Sequence, residues 1–209
     1  IISKEEALMR IEPHALVELL HRQIAPDTVR DIIGNGIAAS PGAAFGQIVF
    51  TAEAALACKS REEPCILVRR ETSPEDIRGM HAASAVLTER GGMTSHAAVI
   101  RRGMGVPCVV GASSIRFYIQ KKQLVSGDGR IFEEGDSITV DGTRGEILAG
   151  RSEMVEASLD ESFQTLMHWA EDACDIEIRA NADTAADAQT ARNFSARGIG
   201  LCRTEHMFF

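Results

Sequence analysis

This sequence of 209 residues is poor in aromatics: Phe, Trp and Tyr make up 5%, with one Trp and one Tyr. It has no basic excess, with 22 Lys and Arg against 30 Asp and Glu and a formal charge of −8. That balance speaks against nucleic acid or an anionic membrane as a partner. It leaves room for a small phosphate-bearing substrate, which single arginines and helix dipoles suffice to bind. No apolar run reaches transmembrane length. The five cysteines (Cys58, Cys65, Cys108, Cys174, Cys202) show no CxxC spacing and their number is odd. Neither a disulfide framework nor a zinc site is therefore expected; each is read as a small buried hydrophobe in a reducing, cytoplasmic setting. Ile1 to Glu6 reads as the beginning of a helix, not as a leader's charged n-region.

The chain does have 44% hydrophobic and 25% charged residues, enough for one sizeable α/β domain and a piece of another. It is organised around Gly91-Gly92-Met93-Thr94-Ser95-His96-Ala97-Ala98-Val99-Ile100. A short, β-prone, buried-type strand over 84–88 precedes it. After the glycine pair, Thr94 or Ser95 serves as N-cap and a helix is expected, closed by Gly103. His96 then stands in the first helical turn, where free N–H groups and the positive dipole end favour an anion. A neutral imidazole there is either a phosphoryl-accepting nucleophile or a structural, hydrogen-bonded histidine, and the bare pattern leaves both open.

Around this stretch the pattern is ordered. Two helices, 4–11 and 13–21, are separated by Pro13. A turn-rich segment over 34–46 leads to a strand at 47–50 and a helix at 53–59. A strand at 66–69 precedes a helix opened by Ser73 as N-cap with Pro74 at N1. With strands 84–88 and 107–110 this makes β-α-β-α-β, expected to be parallel, with ligands at the carboxyl ends of the strands. Four short strands follow at 122–125, 130–132, 137–140 and 145–148, joined by hairpin-type turns and expected to pack on the α/β layer. Their acidic residues Asp128, Asp136 and Asp141 read as solvated turns, not metal ligands. Residues 151–175 read as a helical connection, and strand 175–181, helix 184–197 and strand 198–203 close the chain.

Gly-Gly-Met-Thr-Ser-His-Ala-Ala, with the following Arg-Gly-Met-Gly and Pro-Cys-Val-Val-Gly, resembles the phosphohistidine motif of the phosphoenolpyruvate-utilising enzymes. Within that family it is most like the dikinase branch; phosphoenolpyruvate synthase and Enzyme I usually carry Arg where Met93 stands. Ser40-Pro41-Gly42-Ala43-Ala44 is similar to the beginning of the same domain. Gly198-Ile199-Gly200-Leu201-Cys202-Arg203-Thr204-Glu205-His206 resembles the second strand of the family's phosphoenolpyruvate-binding barrel. The resemblance implies a helical linker over 1–33, a swivelling β/β/α phosphohistidine domain over 34–150, a helical linker over 151–175 and the start of a (β/α)8 barrel over 176–209. Such a barrel needs about 200 residues or more, so only its beginning is expected. The resemblance further implies that His96 carries a phosphoryl group between ATP and phosphate on one side and pyruvate or phosphoenolpyruvate on the other. Gly91, Gly92, Thr94 and Ser95 would support the phosphate, and Arg203 would bind the phosphate or carboxylate of phosphoenolpyruvate. Mg²⁺ would be held by ligands elsewhere, Thr94 would be a candidate regulatory phosphorylation site, and the full-length enzyme would be a homodimer. Segments 23–33 and 151–175 are the expected hinges.

Overall fold

The structure is a computed structural model describing residues 2–95, 97–98, 105–156 and 161–203, the side chains of 14, 17 and 18 excepted. His96 lies outside the described residues. Contacts divide the chain into one unit of Glu12–Leu159 and another of Ile1–Ile11 with Asp160–Phe209.

The second unit begins with α1 (Lys4–Met9), capped at its N-terminus by Ser3, whose Oγ accepts from Glu6 N in the third helical position at 3.1 Å. The larger unit contains α2 (Pro13–Leu19), β1 (Gln23–Ile24), β2 (Ile32–Asn35), β3 (Ile37–Ser40), β4 (Ala43–Val49), α3 (Ala52–Ser60) and β5 (Cys65–Arg69). A 3-10 turn, Pro74–Asp76, then runs into α4 (Ile77–Ala82). Here the N-cap signal at Ser73 is honoured by a buried Asp76, whose Oδ2 accepts from Ser73 N at 2.9 Å and from Ser73 Oγ at 3.1 Å.

Strands β6 (Ala85–Thr88) and β7 (Cys108–Val110) complete the parallel set β4, β5, β6, β7, as the alternating strand–helix pattern predicts. Their continuous apolar runs are explained by burial on both faces. Ile48, Phe50, Ile66, Val68, Ala85, Leu87 and Val109 enter one core, while Val49, Cys65, Leu67, Val86, Cys108 and Val110 enter another. The first core is closed by a three-stranded antiparallel sheet of β8 (Arg116–Tyr118), β9 (Gln123–Val125) and β10 (Ile131–Glu133), through Phe117 and Leu124. The second is closed by α3 and α4, through Ala55, Cys58 and Met80, and by Ala97 and Ala98. The unit is thus layered sheet, sheet, helix. Fully buried side chains such as Phe50, Leu67 and Leu87 each contribute roughly 1.5–3 kcal/mol of transfer free energy.

Four expectations are corrected. The four late strands do not form a layer of their own. β11 (Ser137–Asp141) and β12 (Glu146–Ala149) join the main sheet, whose order is β2-β12-β11-β4-β5-β6-β7-β3, with β11 antiparallel to β4. The turn-rich segment before β4 is not all turn, because β2 and β3 form the two edges of that sheet. Asp141 is no solvated turn: its side chain is 2% exposed, its Oδ1 accepts from Thr143 N and Arg144 N at 3.1 and 3.0 Å, and its Oδ2 meets Arg30 Nη1 at 2.9 Å. Arg30 also pairs with Glu146. Burial penalises the Arg30 cation, but these two carboxylates more than offset that and hold its pKa above the ordinary arginine value. Of the cysteines, Cys58, Cys65 and Cys108 are buried hydrophobes as expected, whereas Cys174 is exposed and Cys202 half-buried.

The chain enters and leaves the larger unit side by side. β1 pairs antiparallel with β13 (Met154–Val155), Ala25 N donates to Glu153 O at 2.9 Å, and Arg22 pairs with Glu156 at 2.9 Å. The guanidinium groups of Arg151 and Arg22 lie 4.1 and 5.8 Å from the Phe45 ring.

In the smaller unit α1 packs on α5 (Glu161–Ala173), with Lys4 Nζ 5.6 Å from the Trp169 ring. β14 (Arg179–Ala180), α6 (Ala185–Asn193) and β15 (Gly198–Ile199) form a β-α-β unit with parallel strands. A reciprocal Thr184–Asp187 cap starts α6 and holds the Asp187 carboxyl below its ordinary pKa, chiefly through the Thr184 hydroxyl. Among the described residues no helix is long and apolar enough to cross a membrane.

Candidate functional site

The carboxyl ends of the parallel strands gather the residues of the central motif. Thr88 closes β6; its Oγ1 donates to Arg90 O at 2.7 Å, and its own carbonyl accepts from Ala112 N at 2.9 Å. Arg90 N donates to Arg70 O at 2.8 Å and Glu89 N to Arg69 O at 3.1 Å, so the segment leaving β6 is tied to the end of β5. Gly91 then takes φ +117°, a conformation that L side chains rarely adopt. Ser95 N donates to Gly92 O at 2.9 Å, and Ser95 Oγ accepts from Ala98 N at 3.4 Å. Of the two expected N-caps, Ser95 is thus the one bonded to the helical segment.

These ties enclose a recess of about 240 Å³ lined by Glu71, Thr72, Thr88, Arg90, Gly91, Ser95 and Ala97. Ser95 and Ala97, the chain neighbours of His96 on either side, both line it. Charged side chains next to the lining residues in sequence are paired. Glu89, with 11% of its side chain exposed, accepts from Phe117 N at 3.3 Å and pairs with Arg116 at 3.6 Å and Arg70 at 3.9 Å. Arg69 is held by Asp76 at 3.2 Å and donates to Phe50 O at 3.0 Å.

Of the expected site residues, Gly91 and Ser95 line the recess. Gly92 has open space where a Cβ would stand, and Thr94 is exposed on the same loop. Arg203 belongs to the other unit, where its backbone N donates to Asp183 Oδ1 at 2.6 Å and its Nη1 lies 3.5 Å from Asp183 Oδ2. Sequence reasoning missed Glu71, Thr72, Thr88, Glu89 and Arg90. The available signal was a charged Glu-Arg pair set between a buried strand and two glycines. Among the described residues no group of three or more His, Cys, Asp and Glu is arranged to hold a metal ion.

The family model described as the PEP-utilising enzyme mobile domain matches residues 61–145, and that of the PEP-binding domain of the same enzymes matches residues 157–209. The chain is 54% identical over 209 residues to a pyruvate, phosphate dikinase of Rhizobium meliloti (strain 1021), covering all of this chain and 23% of the relative. It is 50% identical over 211 residues to the enzyme of that name from Clostridium symbiosum and 48% identical over 211 residues to pyruvate, phosphate dikinase 2 of Zea mays. In both cases it covers all of this chain and 24% of the relative. The chain therefore spans about a quarter of the length of the curated relatives it matches.

Proposed function

The chain belongs to the PEP-utilising enzymes, and from that premise we propose that His96 is the phosphoryl carrier of a pyruvate, phosphate dikinase. The whole enzyme interconverts ATP, pyruvate and phosphate with AMP, phosphoenolpyruvate and pyrophosphate. The observation carrying this reading is the recess at the carboxyl ends of β5 and β6, walled by the residues on both sides of His96. In such a place a neutral imidazole nitrogen attacks phosphorus while the bond to the leaving oxygen breaks. One histidine used twice divides a difficult transfer into two steps. Gly91 and Gly92 leave space for the incoming ester, and Ser95 and Thr94 offer hydroxyls to its oxygens.

The rest of the reading follows from the family. The swivelling domain spans 34–150, flanked by linkers over 1–33 and 151–175, with hinges in 23–33 and 151–175 that let it travel between a nucleotide site and a pyruvate site. Residues 176–209 begin the barrel that binds phosphoenolpyruvate; the β14-α6-β15 unit supports this. Arg203 there grips the phosphate or carboxylate, both of which suit its planar fork. Mg²⁺, which transfer from a nucleotide requires, is held by residues of the parent enzyme beyond this stretch. Thr94, exposed beside the carrier, is accessible to a regulatory kinase. The full-length enzyme is a cytoplasmic homodimer. The identity to dikinases favours this member over phosphoenolpyruvate synthase or Enzyme I.

Incubating the full-length enzyme with phosphoenolpyruvate labelled in phosphorus should leave acid-labile label on the protein, and His96→Ala should abolish it. Label retained by that variant refutes the carrier role, and wild-type turnover in it returns His96 to a structural part.

A further inference from the structure

The recess holds a cation with no task of its own. The cations beside it are committed: Arg69 to Asp76 and to Phe50 O, Arg70 and Arg116 to Glu89. Arg90 is different. Its backbone is held at both ends, N–H to Arg70 O and carbonyl to the Thr88 hydroxyl. Its guanidinium makes no hydrogen bond or ion pair with any described residue. Glu71 lines the same recess and is not paired with it. A pinned backbone carrying an uncommitted planar fork beside the Ser95 hydroxyl is an arrangement suited to a doubly charged oxyanion.

We propose that Arg90 is the residue that grips the phosphoryl group while it resides on the carrier. The proposal rests on the reading of His96 above. In the loading step an imidazole nitrogen lone pair forms the N–P bond and the P–O bond to the enol oxygen of phosphoenolpyruvate breaks; the enolate then takes a proton from water to give pyruvate. The non-bridging oxygens keep their negative charge throughout, and Arg90 balances it. Because Arg90 follows β6 on the same body as the motif, it accompanies the group to both transfer sites. A residue belonging to a stationary site serves only one of them. Equal involvement in both half-reactions is therefore the signature.

The test uses the full-length enzyme carrying Arg90→Gln, Arg90→Met or Arg90→Lys, with His96→Ala as control. Rapid-quench rates are measured for labelling by phosphoenolpyruvate and for labelling by ATP with phosphate, together with the lifetime of the label. Arg90→Gln and Arg90→Met should slow both half-reactions by similar factors of about tenfold or more, the scale of one lost charge-assisted hydrogen bond. Arg90→Lys, which keeps the charge and loses the fork, should fall between them and wild type. The side chain is exposed, so melting temperatures should stay at the wild-type value. Wild-type rates in a folded Gln or Met variant overturn the proposal. A loss confined to one half-reaction also overturns it, reassigning Arg90 to docking against one neighbouring domain. Absence of acid-labile label in the wild-type enzyme instead refutes the carrier reading itself.

Discussion

Gly111 and Gly91 meet where β7 ends and the motif loop begins: a Cβ placed on Gly111 would lie 2.7 Å from the Gly91 carbonyl oxygen. Gly111 also sits at φ +65°. Two loops that leave neighbouring parallel strands are thus in backbone contact, and the loop bearing the motif rests on the one leaving β7.

Gly111→Ala should therefore act on both stability and transfer. The left-handed conformation costs an alanine about 1 kcal/mol, and the Gly91 carbonyl is backbone that cannot yield without moving the motif loop. A total loss of about 1–3 kcal/mol is expected from denaturant unfolding. The phosphoryl transfer proposed for His96 should slow beyond what that instability explains. Transfer at the wild-type rate in this variant would show that the contact between the loops does not set the geometry of the recess.

Asp141→Ala should be among the more damaging surface-distant substitutions. It strips two N–H groups of their acceptor in the turn after β11 and leaves Arg30, 20% exposed, with Glu146 alone. Removing one partner of a buried pair costs about 3–5 kcal/mol; the partial exposure of Arg30 and its remaining partner reduce the expectation to about 2–3 kcal/mol. Urea midpoints of Asp141→Ala, Arg30→Met and the double variant give the coupling, which should be favourable by more than 0.5 kcal/mol on the scale of interacting neighbours, about 0.5–3 kcal/mol.

Acid should weaken the strap between the turn after β9 and the segment before β2. Arg130 donates to Asp31 Oδ2 and Oδ1 at 2.7 and 2.9 Å and to Asp128 Oδ2 at 2.8 Å. The Asp31 carboxyl is held below 3.8 chiefly by the Arg130 guanidinium, and that of Asp128 chiefly by the Ser126 hydroxyl, then by Arg130. A lowered folded pKa means that the unfolded chain binds more protons, so this contribution is complete above about pH 4 and is lost as pH falls through the folded values. The stability difference between wild type and Arg130→Gln, measured by urea unfolding at pH 6 and pH 3, should be smaller at pH 3.

The strands that read most plainly, β5, β6 and β7, are the ones buried on both faces, because burial of that kind demands an unbroken apolar run. β2 and β3 hid because edge strands in contact with glycine-lined turns need little side-chain volume: Gly34, Gly36 and Ala38–Ala39 carry almost none. β11 and β12 were legible as strands, but their sheet was not, since pairing with β4 is a contact between residues far apart in sequence. In the site, the turn chemistry of Gly91 and the capping hydroxyl of Ser95 followed from local rules. The role proposed for Arg90 did not, because an arginine becomes available only when its neighbours' arginines have found carboxylates, and those carboxylates are Asp76 in the cap of α4 and Glu89 just after β6.

The pairing of β1 with β13 carries a practical consequence. Paired strands run about 5 Å apart, a gap that a two-residue hairpin turn spans. The folded body between them is in this respect a cassette. Deleting it and joining Ile24 to Met154 by such a turn should leave a short ribbon in its place, and the excised body, given the same two strand ends, is suited to grafting into an exposed hairpin of an unrelated host.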